Sequence, residues 1–140
     1  MRLFLLPAFC CLLGVGCNGH GKNDSGDPSD AVAVYGAVLQ EELKGTKKGE
    51  GFYVFVDGKD PEPELLQRFQ KQWPELQAGS KAPQGKANRV SMHSLKWFNR
   101  DTADVLGGSS NGIDGRQSRY RVVRKNGAWV VESARLEAQS

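Results

Sequence analysis

Apolar and polar positions change rhythm repeatedly along this chain, and each change marks an element. Residues Leu3 to Leu13 form an apolar run broken by Pro7, followed by Asn18 to Asp30, which offers no side chain able to enter a core. From Asp30 the period is helical: Val32, Tyr35, Leu39 and Leu43 recur at spacings of three and four, Ala31 and Val38 widen the stripe, and Glu41, Glu42 and Lys44 lie off its centre. Asp30 is placed to cap this helix and Gly45 to end it. The segment Phe52-Tyr53-Val54-Phe55-Val56 has no polar alternation, which predicts a central strand covered on both faces.

Pro61 and Pro63 open a second, short helix with Leu65, Leu66, Phe69 and Trp73 on its buried edge and Pro74 stopping it. Gln77 to Ala87 reads as a polar connection. Val90 to Trp97 reads as a long strand whose phase slips between Met92 and Leu95, the mark of a bulge. Thr102 to Leu106 is a third strand, and the glycine-rich Gly107 to Gly115 reads as a mobile hairpin loop. Asn126-Gly127 between alternating segments specifies a two-residue type I′ hairpin. Its register pairs Lys125 with Ala128, Arg124 with Trp129, Val123 with Val130, Val122 with Val131 and Arg121 with Glu132. One face, Tyr120, Val122, Trp129 and Val131, is then buried. The other holds Arg119, Arg121, Val123, Val130 and Glu132, with an ion pair across the strands.

The fold expected is therefore α+β: an N-terminal helix and a short second helix on a four- to five-stranded antiparallel sheet. In a chain of 140 residues this leaves room for one domain. Residues 1–16 are read as a signal peptide, 17–30 as an anchor and flexible linker, and 31–140 as the domain. The formal charge of +3 is too small a bias for a nucleic-acid partner, although Lys86 to Lys125 is locally basic.

Candidate chemistry is sparse. Asp57, Asp60, Glu62 and Glu64 form a carboxylate cluster, but turn and helix-start positions explain them, and no histidine or second cluster completes an acid/base or metal site. His93 falls on the polar side of its strand with no nucleophile signalled. Arg119 and Arg121 could receive an anion, with solvated strand charges as the plain alternative. Asp24, Asp27 and Asp30 lack calcium-loop spacing, and His20 lacks a second nitrogen ligand. Gly107 to Gly115 lacks the Lys-Ser/Thr of a phosphate loop. The sequence asks for no cofactor, no catalytic residue and no metal.

Met1-Arg2 followed by the apolar run and by Gly14-Val15-Gly16 has the layout of an export signal. Gly16-Cys17 resembles the lipobox of bacterial lipoproteins, with Gly14 standing where that family usually has Leu. The resemblance implies a diacylglyceryl thioether on Cys17 and cleavage before it. Of three cysteines, Cys10 and Cys11 leave with the signal, so no internal disulfide forms in the mature chain. An incidental cysteine behind an ordinary signal, or an uncleaved anchor, is the alternative.

The order of elements resembles the cystatin-like and NTF2-like folds, in which a curved sheet wraps a helix. FYVFVDGKDPEPELLQRF together with YRVVRKNGAWVV resembles small exported proteins of planctomycete-type bacteria. Such folds host enzymes, binders and inert modules. The lipobox resemblance implies an envelope lipoprotein held on a bacterial membrane by palmitate and other acyl chains on Cys17, and the lack of a catalytic constellation in the sequence makes a non-catalytic role the expectation. Its domain would bind a protein, a cell-wall polymer or a small ligand. The alternative is a small-molecule-binding or enzymatic NTF2-like domain with a pocket between helix and sheet, reached by His93 or Arg121. Fold analogy adds a minor third reading, an inhibitor of exported hydrolases.

Overall fold

The computed structural model describes residues 26–47 and 49–140, so Cys17, the expected signal and most of the expected linker lie outside the described residues. Helix α1 (Pro28–Leu43) is followed by β1 (Phe52–Val56), α2 (Pro63–Gln70), β2 (Leu76–Ala78) and a 3-10 turn at Gly79–Lys81. Four long strands then complete the fold: β3 (Asn88–Asn99), β4 (Thr102–Ser110), β5 (Gly115–Lys125) and β6 (Ala128–Gln139). The class is α+β, as the apolar pattern predicts.

The sheet differs from expectation: it has six strands in the order β2-β1-β3-β4-β5-β6 and is mixed, not wholly antiparallel. β1 runs parallel to both β2 and β3, whereas β3 to β6 form an antiparallel meander. Parallel neighbours need a return leg. Here α2 supplies it before β2, and residues 79–87 supply it before β3. β2 lies in what reads as a polar connection, because only its Leu76 is fully buried and a three-residue strand leaves no period to detect.

Asp27, not Asp30, caps α1: its carboxylate accepts from Ser29 N at 2.9 Å, and Pro28 occupies the first turn, where a missing N–H costs nothing. The buried stripe is also rotated from expectation. Val34, Val38, Leu39 and Leu43 are its fully buried residues, and Glu42 is buried with them. They pack on one face of the sheet, against Val54, Val90, Met92, Val105 and Val122. α2 adds Leu65, with Leu66, Phe69 and Trp73 at the core margin; it ends at Gln70, four residues before Pro74.

β1 is interior but is not covered evenly on both faces. Phe52 and Val54 are buried toward the helices, while Tyr53 and Phe55 are half-buried on the far side. Phe55 is covered there by the backbone of Gly79, where a Cβ would lie 2.3 Å from the ring.

The expected bulge in β3 is present. Register shifts between His93 and Lys96, and Ser94 takes a left-handed φ of 56°. The hairpin β5-β6 turns through Asn126 and Gly127, both at positive φ, with Lys125–Ala128, Arg124–Trp129, Val123–Val130 and Val122–Val131 paired as predicted. Beyond Val122 a bulge intervenes, so Arg121 pairs with Ser133 and the expected Arg121–Glu132 pair does not form. Gly107 to Ser110 belong to β4 and only residues 111–114 form the turn, which corrects the expectation of a long mobile loop.

Candidate functional site

The four clustered carboxylates are separated by the fold. Asp57, at a left-handed φ of 51°, accepts from Tyr35 Oη at 3.2 Å and from Ser94 N at 3.3 Å, tying the end of β1 to α1 and to the β3 bulge. Asp60 accepts from Ser80 N at 2.7 Å and Ser80 Oγ at 2.6 Å. Those hydrogen bonds hold its carboxyl below the usual range. Glu64 pairs with Arg68 at 2.8 Å one helical turn away. Asp57, Asp60 and Glu64 each stabilise a turn or a helix, Glu62 stands at the start of α2 without a side-chain capping bond, and the four share no hydrogen-bond partner among the described residues.

His93, Arg119 and Arg121 lie on the sheet face opposite the helices. His93 Nε2 is 3.1 Å from Gln117 Nε2. Arg121 grips Asp104 through two hydrogen bonds, and Arg119 shares Glu137 with Arg135. Phe98 lies under the guanidinium of Arg121, 4.6 Å away, and the ammonium of Lys96, 5.2 Å away. The arginines that sequence reasoning offers to an anion are therefore already neutralised by acids of this chain. Neither Arg121 nor His93 reaches the helix–sheet interface.

Sequence reasoning missed a polar cluster at the C-terminal end of α1. Glu42 has a side chain with 0% exposure, accepts from Tyr120 Oη at 2.5 Å, and lies 3.3 Å from Arg116 Nη2. Burial, and next the hydrogen bond to Glu42, push the Tyr120 hydroxyl well above its ordinary pKa, so it remains a proton donor to the carboxylate. Arg116, about half exposed, turns outward onto an open cleft of about 310 Å³ lined by Phe52, Asn88, Ser109, Ser110 and Asn111. The cleft offers hydroxyl, amide and guanidinium groups over one aromatic ring, a surface suited to hydrogen-bonding a polar ligand. The signal was available, since Glu42 follows Val38 by four residues and Leu39 by three.

A second polar cluster ties down the opposite end of α1. Asp30 accepts from Arg124 Nη2 at 2.5 Å and from Trp129 Nε1 at 3.3 Å. Trp129 meets Trp97 edge to face, with centroids 5.6 Å apart, and Gly26 lies so close to the Trp97 ring that a Cβ would be 2.6 Å from it. α1 is 16 residues long, so about 24 Å of helix separates this end from the Glu42 end.

Among the described residues, no three His, Cys, Asp or Glu side chains gather as a metal site would, and no helix is long and apolar enough to cross a membrane. Compared with family models, curated proteins and solved structures, the chain matches none.

Proposed function

We propose that this chain is an exported envelope lipoprotein, anchored to a bacterial membrane through acylated Cys17, whose α+β domain works by binding and not by catalysis. The observation that carries the reading is the commitment of its reactive groups. Asp57, Asp60, Asp104, Glu42 and Glu137 each hold a structural hydrogen bond, so the acids nearest to a site-like arrangement are engaged in holding the fold. Gly16-Cys17 behind a short apolar run supports the anchor. Two acyl chains would hold the protein on a bilayer essentially permanently, at about 0.8 kcal/mol per buried methylene.

We read the finer fold as cystatin- or NTF2-like, supported by α1 lying across a meander bent by bulges in β3 and β6. The binding site in this account is the cleft at Arg116, which lies at the end of α1 remote from the tether and so faces away from the membrane. The second reading, a small-molecule-binding or enzymatic domain with a helix–sheet pocket, is favoured by one observation: the buried Glu42–Tyr120 pair is joined to that cleft through Arg116. Labelled palmitate fed to cells tests the anchor. Incorporation into wild type and none into Cys17→Ser is expected, and equal incorporation, or none into either, overturns it.

A further inference from the structure

We propose that the end of the domain nearest the tether is a lipid-docking surface for anionic phospholipid headgroups, a second membrane contact that adds to the acyl anchor. The inference rests on the anchored reading, which decides the end of the domain that meets the bilayer; the aromatic and basic groups at that end belong to the described surface.

The chain fixes which end meets the bilayer. Gly26 lies against the Trp97 indole, and eight residues separate it from Cys17, a reach of at most about 30 Å. A lipid on Cys17 therefore keeps the Trp97 end of the domain close to the headgroups. This end gathers the start of α1, the β3-β4 turn at Arg100 and the β5-β6 turn at Asn126-Gly127. It carries the aromatic residues Trp97, Phe98 and Trp129, of which Phe98 is 42% exposed, the second most exposed aliphatic-or-aromatic position in the meander's proximal half being Val130 at 36%.

Lys96 and Arg121 lie over the Phe98 ring and Arg124 over the Trp129 ring, while Arg100 and Lys125 stand at the two turns of this end, and Arg121 is held by Asp104. Facing them are Asp30 and Asp101, both engaged by Arg124, and Glu132, 4.0 Å from Lys125. Lys96 and Arg100 are exposed and have no ion-pair partner among the described residues. Amphipathic aromatic rings with unneutralised bases beside them match the composition of a membrane interface: rings settle at headgroup depth and bases meet phosphates. The opposite end carries an exposed aliphatic residue, Ile113, and one ring, the buried Phe52, beside its polar cleft.

The test uses the full chain carrying Cys17→Ser, so that no acyl chain contributes, and sedimentation with vesicles of phosphatidylcholine alone or mixed with phosphatidylglycerol. The expected result is preferential binding to the mixed vesicles. Lys96→Glu with Arg100→Glu should weaken it at least tenfold, since each base near such a surface is worth about fivefold. Phe98→Ser should weaken it independently, with unchanged circular dichroism. Lys47→Glu with Lys86→Glu, the same charge change at the far end, should alter it less than twofold. Equal binding to both vesicle types, or equal weakening by the two charge-reversal pairs, overturns the proposal. Acylation of Cys17 is read separately in cells, so a failed anchor and a failed docking surface give different results.

Discussion

Glu42 and Tyr120 meet across 78 residues of sequence, the tyrosine hydroxyl donating to the buried carboxylate at 2.5 Å. The contact joins α1 to β5 where the apolar core gives way to the polar cleft. Burying a carboxylate is tolerable only while its hydrogen bonds are made. Tyr120→Phe leaves Glu42 with Arg116 alone and should destabilise the domain by about 1–3 kcal/mol in urea unfolding. Glu41→Gln, one residue away in an exposed pair with Lys44, should change stability by less than about 0.5 kcal/mol.

Alkaline pH should weaken the fold through two tyrosines. Burial raises the pKa of Tyr35, with the Asp57 carboxylate adding to it, and burial together with Glu42 raises that of Tyr120. Unfolded tyrosine ionises near pH 10, so stability from these groups is intact below about pH 10 and is lost as pH rises above it. The slope expected is about 1.4 kcal/mol per pH unit for each tyrosine, and Tyr35→Phe or Tyr120→Phe should each flatten it, as read from denaturation midpoints between pH 9 and 11.

Gly107 should resist substitution. A Cβ there would lie 2.8 Å from Val38 Cγ1 and 3.0 Å from the Tyr120 ring, so Gly107→Ala should cost about 1–3 kcal/mol by overpacking. Val38→Ala opens the same space. The double variant should therefore be more stable than the two single losses add up to, which a thermodynamic cycle measures.

Asp30→Ala should release the first turn of α1. It removes the acceptor for both Arg124 and Trp129. Faster amide exchange confined to the start of α1, with a red shift of tryptophan emission, is the expected outcome.

Much of this architecture was legible in the sequence where a rule acts within a few residues. Asn126-Gly127 specified its hairpin, and the phase slip between Met92 and Leu95 located the Ser94 bulge. Long-range pairing was not legible. Gly107 and Gly108 look like loop residues until α1 and β5 are seen pressing on them, since a glycine needed for close approach has the same letter as one needed for a turn. Leu76 gives no strand period by itself, and the parallel pairing of β1 depends on the return legs either side of β2. The Arg121–Glu132 pair failed because a bulge, invisible to simple counting, shifted the register by one. Glu42 lies off the centre of the predicted apolar stripe, and only the rotation of the helix on the sheet brings it inside.

Mass spectrometry of the N-terminal peptide, from protein extracted out of native membranes, addresses the anchor directly. The account predicts a chain beginning at Cys17 with its sulfur in a diacylglyceryl thioether. A free thiol at Cys17, or a chain still bearing residues 1–16, would contradict it.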